Sequence, residues 1–465
     1  MKNRELKNLG IPAGDALKAA QKGLKVAAGA GWGRAELREQ LRSIVSAPES
    51  HLDDPYFGEL AQCLDQHAKD QASFVPREAP APYKQWGEDL DENSIVQMQN
   101  ACQLPVSVRG ALMPDAHLGY GLPIGGVLAT RNAVIPYAVG VDIACRVKMT
   151  ILDLPVNMLD RGESKLIRAL EDETRFGIGA GFKRPRNHEV MDDDWSVTSV
   201  TAHVKSKAWK QLGSSGSGNH FVEFGEVTLS EPELGLEAGS YLALLSHSGS
   251  RGAGASVASH YSNLAMSLHP ELPKQLRHLA WLDLDSQEGN EYWEAMELMG
   301  RYAAANHACI HRHVAKHLGA HVLVDIENHH NFAWKEEHDG EPLIVHRKGA
   351  TPAGEGVLGI IPGSMATSTY VVRGKGSADS LESASHGAGR VMSRKKAKET
   401  FRWKEVSPQL KEKRVKLLSA GLDEVPGVYK DIDWVMDAQA DLVDRVARFQ
   451  PRLVKMAPAG EPAED

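Results

Sequence analysis

The chain has 465 residues, of which 42% are hydrophobic and 25% charged, a composition typical of a globular protein with a large core. Its net charge of −8 argues against a nucleic-acid-binding protein with an overall basic surface, although a local basic channel remains compatible with it. Four cysteines are too few for a disulfide framework, and no apolar run reaches the roughly 18–20 residues of a membrane span. We therefore expect a cytoplasmic protein without membrane segments, whose cysteines stay reduced.

The first 75 or so residues are predicted to be helical. Apolar side chains recur at helical spacing in three stretches, at 16–28, 35–45 and 58–69. Three prolines between Pro76 and Pro82 then interrupt any regular element and predict a linker. We assign 1–83 to a small helical extension that ends in this proline-rich linker.

From residue 84 onward the pattern changes to short strands separated by glycine-rich turns. Helical patterns intervene at 287–318 and at 430–448. These alternations predict a mixed α/β fold, with a central sheet flanked by helices in one large catalytic domain over 84–456. The residues 457–465 are predicted to form a disordered tail. The strand-like runs are 125–130, 133–152, 220–227, 241–249, 321–328 and 369–374.

Five short motifs combine histidine or cysteine with glycine or a polar neighbour. They read GVDIAC (140–145), GSGNHFVE (216–223), SHSGSRG (246–252), ENHHN (327–331) and SHGAGR (385–390). A metal site needs several N, O or S ligands that converge, and distant segments can supply them. Glycines let backbone N–H groups approach a phosphate closely. The set predicts a metal site beside a nucleotide site.

Each motif also has a simpler structural interpretation. Cys145 alone reads as a core cysteine, and His220 or His247 alone as a buried structural histidine. Asp142 and Cys145, however, stand three residues apart after an apolar strand, so that both can reach one dinuclear centre with the sulfur as a bridge. In the doublet His329-His330 we expect only one ring to face the metal. Five such motifs at strand ends favour the metal site.

His386 suggests covalent chemistry. A neutral imidazole can attack phosphorus and form a phosphoramidate, and the nearby Arg390 and Arg394 can neutralise phosphoryl oxygens. The structural alternative is a capping residue in a loop. Basic runs at 183–186 and 394–398 are candidate RNA contacts or, more simply, solvated surface. From the residues alone, the chain is predicted to be a metal-dependent phosphoryl-transfer enzyme.

Together, these motifs resemble one known family. The chain from about 90 to 456 is similar to the RtcB family of RNA-splicing ligases, with MPDAHLGYGLPIGGV (113–127) and the five motifs in the family's order. Further matches are VHRKGAT (345–351), IIPGSM (360–365), SHGAGRVMSR (385–394) and YKDID (429–433). The resemblance covers about four-fifths of the chain and implies an RtcB-like catalytic domain.

The resemblance also implies an activity and roles for residues. It implies a ligase that uses GTP as co-substrate and two Mn²⁺ ions, and that joins 3′-phosphate or 2′,3′-cyclic phosphate RNA ends to 5′-hydroxyl ends through a histidine–GMP intermediate. It assigns the metal ligands as Asp142, Cys145, His220, His247 and His330, with Cys145 bridging. It assigns the covalent bond to His386, the nucleotide contacts to Asn219, Glu223, Ser364, Thr369, Lys455 and Gly389, and the RNA ends to Asp115, Arg251, Arg390 and Arg394. Asn219 and Glu223 are expected at the GTP phosphates or ribose, Ser364, Thr369 and Lys455 in the guanine pocket, and Asp115 also in catalysis.

The expected partner is RNA with broken ends, such as tRNA halves, bound by a monomer whose N-terminal extension recruits an accessory protein. Some residues depart from the family's pattern: Ala144 and Arg146 replace glycines around Cys145, and Pro352 replaces a basic residue. An alternative is therefore a metal-dependent RNA-end phosphatase or cyclic phosphodiesterase that has lost ligation. A third hypothesis is a metal-loaded RNA-binding or assembly protein without catalysis.

Overall fold

The computed structural model of the chain describes residues 1, 3–12, 14–72 and 74–462. Two compact units are present, Met1–Val75 with Ser267–Arg277, and Pro76–Met266 with His278–Asp465. The predicted tail 457–465 falls partly outside the described residues, at 463–465. Within the described ranges, every helix is too short or too polar to traverse a lipid bilayer.

The first unit is built from four helices around a small apolar core. They are α1 (Asn3–Asn8), α2 (Asp15–Gly29), α3 (Arg34–Ser46) and α4 (Gly58–Ala72). Leu24, Leu41 and Leu60 are buried in its core together with Phe57. Gly23 on α2 is required for this packing, since a Cβ there would lie 2.5 Å from the Phe57 ring. The three helices predicted from apolar spacing are confirmed.

The second unit contains all the strands of the described chain and ten further helices. The strands are β1 (Tyr83–Gln85), β2 (Ser107–His117), β3 (Ile124–Thr130), β4 (Ala133–Val134), β5 (Arg146–Leu152), β6 (Phe221–Leu229), β7 (Gly239–Ser248), β8 (Leu282–Asp283), β9 (Val322–His329), β10 (Phe332–His338), β11 (Glu341–Lys348), β12 (Ala350–Pro352), β13 (Leu358–Ile361), β14 (Thr369–Gly374), β15 (Ser383–Ser385), β16 (Lys416–Ser419) and β17 (Val443–Met456). The helices are α5 (Glu92–Cys102), α6 (Pro136–Val139), α7 (Met158–Arg161), α8 (Glu163–Glu173), α9 (Ser199–Gln211), α10 (Arg251–Leu268), α11 (Gln287–Leu318), α12 (Arg394–Thr400), α13 (Trp403–Glu412) and α14 (Ile432–Asp437).

Two large sheets organise this unit. The eight-stranded sheet has the order β13-β14-β17-β6-β7-β5-β9, with β16 paired to β17, and the five-stranded sheet has the order β1-β2-β3-β11-β10. Two-stranded sheets join β12 to β15 and β4 to β8. The predicted fold class, a mixed α/β protein with a sheet core flanked by helices, is confirmed.

Helix α11 covers the residues that the apolar pattern predicts. Its start is capped by Ser286, whose Oγ accepts a hydrogen bond from the Gly289 N–H. Its end is set by Gly319, which adopts φ 68°, a left-handed conformation that glycine reaches at little cost. The helix packs Ile310 and Val314 into the core that Leu242 and Leu244 of β7 also line.

The helix predicted over 430–448 is wrong for most of its length. Only α14 is helical, and the chain from Val443 onward forms β17. This strand is paired on one side with β14 and on the other with β6, so its backbone groups bond to neighbours that are distant in sequence. Such tertiary pairing overrides the local helical pattern of the segment.

Strand direction brings the motifs together at one end of the eight-stranded sheet. The neighbouring strands β6, β7, β5 and β9 are antiparallel, and Arg146 at the start of β5 lies opposite Ser248 at the end of β7 and His329 at the end of β9. Phe221 at the start of β6 lies opposite His247. The segments just outside these ends carry the remaining polar residues, so four motifs meet at the same end of the sheet.

Candidate active site

Four of the motifs form two clusters of possible metal ligands that share one sulfur. Asp142, Cys145 and His220 form one group, and Cys145, His247 and His330 form the other; within each, the ligand atoms lie within 4.8 Å of one another. Cys145 Sγ lies 3.5 Å from His220 Nε2 and 3.1 Å from His247 Nε2. All five residues are buried. A thiolate common to two groups is the arrangement that a bridged pair of cations requires.

The hydrogen bonds behind the rings orient their free nitrogens. His220 Nδ1 lies 2.7 Å from the Ser215 carbonyl oxygen, and His247 Nδ1 lies 3.2 Å from the Asn219 carbonyl oxygen. Because a carbonyl only accepts, each Nδ1 carries a proton and donates it, which leaves each neutral ring with an unprotonated Nε2 facing the cluster.

Each of these unprotonated nitrogens lies close to another atom that carries a lone pair. His220 Nε2 lies 3.1 Å from Asp142 Oδ2, and His247 Nε2 lies 3.2 Å from His330 Nε2. Two lone pairs at such distances repel unless a cation, either a proton or a metal ion, lies between them. The donor set therefore fits a pair of metal ions, and metal binding would displace any proton held there.

Burial keeps the ligands in the protonation states that bind metal. Desolvation lowers the pKa of His247 to about 3, and burial also lowers the pKa of His330 well below its usual value. Burial alone would raise the pKa of Asp142, but its interactions with His220, Cys145 and Arg251 hold that pKa below the usual value. At neutral pH His247 and His330 are therefore neutral imidazoles, and Asp142 is a carboxylate.

His386 faces the same cluster from the loop after β15. Its Nδ1 lies 2.7 Å from Oδ2 of Asp115, which is fully buried, and its ring centroid is 4.8 Å from that of His330. The Nδ1–H donates to the carboxylate, so Nε2 keeps a lone pair available for attack. Gly389 adopts φ 73°, and a Cβ there would lie 2.1 Å from the Asp115 carbonyl oxygen. This glycine therefore allows the two loops to approach.

A cavity of about 520 Å³ joins these residues. Asn219, Gly389, Arg390 and Arg394 line it together with His386 and the metal-ligand clusters, so the structure brings most of the predicted site together. The two arginines are held by Glu424, a buried carboxylate whose Oε2 lies 3.3 Å from Arg390 NH1 and whose Oε1 accepts from Arg394. Because the cavity is lined by two arginines and by the metal-ligand clusters, it is suited to bind phosphate groups.

A smaller pocket lies beside Phe221. It is lined by Glu223, Ser364 and Thr369, with Val454 and Met456 of β17. Burial raises the pKa of the Glu223 carboxyl well above its usual range. Glu223 thus shares a pocket with the residues expected at guanine, whereas the sequence-based expectation placed it at the phosphates or ribose.

Lys455, also expected in this pocket, is directed elsewhere. Side chains alternate along a strand, so Val454 and Met456 share a face that excludes Lys455. Its ammonium donates to the Leu170 carbonyl at 3.0 Å. The structure therefore does not place the charge of Lys455 in the pocket.

Arg251 does not line the cavity. It is 2% exposed, adopts φ 57°, and donates to Ser214 Oγ at 3.2 Å and to the Gly177 carbonyl at 3.3 Å. Its charge helps to lower the pKa of Asp142. The guanidinium is thus buried among Ser214 and Gly177, and the structure does not bring Arg251 to the cavity where RNA ends are expected.

Arg146 and Pro352, the departures that raised the phosphatase alternative, also lie outside the cavity lining. Arg146 donates to Glu327 Oε1 at 3.0 Å and to the Gly300 carbonyl at 3.2 Å. Ala144 stands at φ 54°, where glycine is favoured, and its N–H donates to the Asn331 carbonyl at 2.8 Å. Alanine in this conformation costs about 1 kcal/mol of backbone strain, and Ala144 does not line the cavity.

Sequence reasoning missed several residues of the cavity, and burial shifts the pKa of three of them. Lys348 lines it, donates to the carbonyls of Tyr120 and Tyr137, and has its pKa lowered to about 7 by burial. His117 lines it as well, with a pKa lowered to about 4 by burial. Tyr429 is the third. Lys348 and His117 stand within motifs quoted above, Lys348 in VHRKGAT and His117 in MPDAHLGYG. An ionisable residue close to a glycine in such a motif is the sequence signal that could have identified them.

The doublet His329-His330 provides a matched pair of variants. His330→Ala removes a ligand of the Cys145–His247–His330 group and is expected to weaken Mn²⁺ binding by at least about a hundredfold. The ring of His329 instead packs 5.0 Å from that of Trp334 and 5.1 Å from that of Phe332. His329→Ala should therefore keep the wild-type affinity. Isothermal titration with Mn²⁺ measures both, and equal losses in the two variants would contradict the assignment.

Comparison with known proteins finds similarity to one family over most of the chain. The family model described as "tRNA-splicing ligase RtcB" matches residues 97–456. The chain is 34% identical over 400 residues to the RNA-splicing ligase RtcB of Escherichia coli strain K12, covering 78% of this chain and 94% of that protein. It is 35% identical over 442 residues to the tRNA-splicing ligase RtcB of Nanoarchaeum equitans, covering 78% and 91%. The corresponding protein of Thermococcus kodakarensis is 31% identical over 437 residues, covering 77% and 90%.

Proposed function

Because the chain belongs to the RtcB family, we propose that it is a GTP- and Mn²⁺-dependent RNA ligase that joins 3′-phosphate or 2′,3′-cyclic phosphate ends to 5′-hydroxyl ends. The observation that carries the proposal is the position of His386. Its Nδ1 is bound to the buried Asp115, and its ring lies 4.8 Å from His330 of the metal-ligand cluster.

His386 acts as the nucleophile. Its Nε2 forms a bond to the α-phosphorus of GTP while the bond from that phosphorus to pyrophosphate breaks. The Asp115 carboxylate holds the tautomer with the proton on Nδ1 and stabilises the positive charge that develops on the ring, as a carboxylate does for a catalytic imidazole elsewhere. Two Mn²⁺ ions, when held by Asp142, Cys145, His220, His247 and His330, would supply charge neutralisation at the reacting phosphates.

The RNA steps use the same cavity. A cyclic phosphate end is first opened by water to a 3′-phosphate, whose oxygen attacks the phosphorus bound to His386 and takes GMP as the N–P bond breaks. The 5′-hydroxyl of the second strand then attacks the RNA phosphorus, and GMP leaves. Arg390 and Arg394 line the cavity where these phosphates react, and the buried Glu424 holds both guanidinium groups in place.

The smaller pocket suits guanine. A carboxyl group that faces a purine can accept hydrogen bonds from both N1–H and the 2-amino group, a pair of donors that guanine has and adenine lacks. Glu223 is 3% exposed and lines this pocket with Ser364 and Thr369. The pocket opens beside Phe221, directly after the metal-ligating His220, which allows one nucleotide to span both sites.

Glu223→Gln is expected to lower kcat/KM for GTP in guanylylation by about 10- to 100-fold, since a buried charge-assisted hydrogen bond is worth about 1.5–3 kcal/mol. The variant should also lose discrimination between GTP and inosine triphosphate, which lacks the 2-amino group. Because burial raises the pKa of the free carboxyl and guanine donors favour its ionised form, GTP affinity of the wild type should increase with pH below that raised pKa.

Glu226→Gln, on the same strand but outside the pocket lining, is the control and should behave as wild type. Initial rates with the two nucleotides at several pH values provide the measurement. Retained preference for GTP in Glu223→Gln would remove Glu223 from guanine recognition.

The direct test of the proposed function is formation of the covalent adduct. The protein is incubated with α-³²P-labelled GTP and Mn²⁺ and separated on a denaturing gel, and an acid-labile labelled band is expected. Synthetic RNA with a 2′,3′-cyclic phosphate and a 5′-hydroxyl end should then be sealed. A protein that forms no adduct under these conditions is not the ligase proposed.

The phosphatase alternative has less support from the site. It rested on Arg146 and Pro352, and neither lines the cavity. The cavity instead joins a candidate nucleophile, a metal-ligand cluster and paired arginines, beyond what simple hydrolysis needs.

A further inference from the structure

The rim of the large cavity carries exposed apolar side chains, in contrast to its polar floor. Leu118, Tyr120 and Val391 line the cavity and are 55%, 66% and 54% exposed. Exposed apolar side chains grouped at one cavity are typical of a ligand-binding site, and an aromatic ring at the mouth of such a site is well suited to a flat partner.

Tyr120 is held in place although its side chain is exposed. It lies in the turn between β2 and β3, and its carbonyl accepts a hydrogen bond from the buried Lys348. Its ring makes a T-shaped contact with His278, with centroids 5.9 Å apart, and the His278 ring lies 4.7 Å from that of Tyr137. Gly121 adopts φ 72°, and a Cβ there would lie 2.6 Å from the His278 carbonyl oxygen. The turn is thus fixed against a neighbouring segment while the ring remains accessible.

The charges of the cavity indicate which part of a ligand reaches the rim. Arg390, Arg394 and the metal-ligand clusters provide the sites for phosphates, and Glu223 lies in the separate smaller pocket proposed for guanine. An RNA end whose phosphate lies at His386 carries a neutral, flat nucleobase on the same nucleotide, and His386 and the rim residues line one cavity. Stacking on an aromatic side chain is the common way in which proteins hold such an unpaired base.

We propose that Tyr120, with Leu118 and Val391 beside it, forms a stacking subsite for the nucleobase next to the RNA break. The inference rests on the proposed function, because it takes RNA ends as the substrate. It makes Tyr120 a substrate-binding residue that positions the end without reading its sequence, since every base offers a stacking face.

The test compares RNA sealing by wild type, Tyr120→Ala and Tyr120→Phe. Tyr120→Ala should raise KM for RNA by about tenfold, the effect expected from loss of one base–aromatic stack, and Tyr120→Phe should restore the wild-type value. Trp209→Ala serves as the control, because Trp209 is 42% exposed but does not line the cavity. An unchanged KM in Tyr120→Ala would overturn the proposal.

A change on the RNA side tests the contact with wild-type protein alone, so it holds even if Tyr120→Ala is poorly folded. RNA with an abasic nucleotide at the break should raise KM of the wild type by the same factor, and an unchanged KM would overturn the proposal. A folded Tyr120→Ala should show no additional increase with this RNA. Additive penalties would show that base and ring do not interact, and would overturn the proposal.

Fluorescence separates failure of this inference from failure of the proposed function. RNA strands with 2-aminopurine at the last nucleotide of the 3′-phosphate strand, or at the first nucleotide of the 5′-hydroxyl strand, are titrated with protein without turnover. Quenching with wild type and Tyr120→Phe but not with Tyr120→Ala identifies the stacked strand. Stacking seen in a protein that forms no guanylyl adduct would contradict only the ligase mechanism. Sealing by wild type without quenching of either strand would contradict only the stacking subsite.

Discussion

Replacing His386 by alanine is expected to abolish the guanylyl adduct and to lower RNA sealing by about 10⁴-fold or more, because loss of a covalent nucleophile removes the reaction path and not merely a contact. The imidazole lies against Asp115 and faces the cluster through its ring contact with His330. Its side chain lines the cavity, so the substitution enlarges an existing space and should not unfold the protein. A gel with labelled GTP measures the adduct, and a sealing assay measures the overall reaction.

Asp115→Asn supplies the graded comparison. The amide keeps the shape of the side chain but can present N–H to Nδ1 of His386, which favours the wrong tautomer, and a comparable change in a catalytic triad costs about 10⁴-fold in kcat. We expect the adduct to form slowly in Asp115→Asn and not at all in His386→Ala. A full-strength adduct in His386→Ala would show that another residue carries the guanylyl group.

Replacing Cys145 by alanine is expected to disrupt both metal positions, because this residue belongs to both ligand groups. Wild-type protein titrated with Mn²⁺ to about a hundred times Kd should gain about 2.7 kcal/mol of stability, or about 3–5 °C in Tm for a protein of this size. Cys145→Ala should lose this gain and form no adduct at the same Mn²⁺ concentration. Calorimetry with and without Mn²⁺ measures the difference.

Cys102→Ala is the matched control for that experiment. Cys102 is a buried cysteine at the end of α5 whose pKa burial raises to about 12, and it does not line the cavity. Its substitution should lower the starting Tm through lost packing while keeping the Mn²⁺-dependent gain. A gain that survives in Cys145→Ala would place the metal ions elsewhere.

The sequence predicts the secondary structure well where one local pattern dominates. Helix α11 has a clear apolar stripe, a serine cap and a glycine stop, and its bounds agree with the predicted range. Strand β17 shows the opposite case. The spacing of its charged residues also fits an amphipathic helix. The segment forms a strand because it pairs with β6 and β14.

For the site, glycine-flanked motifs predict which residues meet, but not which way each side chain points. The sequence predicts Lys455 in the guanine pocket and Arg251 at RNA ends. Strand alternation directs the Lys455 side chain to Leu170 instead, and Arg251 is buried against Ser214, where its charge acts on Asp142. Local sequence patterns do not single out Lys348 and Tyr120, because the hydrogen bond between them joins segments more than 200 residues apart in the sequence. Such relations arise from the tertiary fold.

The position of the last strand sets the order in which the two binding sites can form during synthesis. The strands that bring the metal ligands together, β5, β6, β7 and β9, are all complete by residue 329. The pocket around Glu223 also requires Val454 and Met456 of β17, which are synthesised more than a hundred residues later. A growing chain can therefore bring these strands together before the smaller pocket forms, because that pocket needs β17.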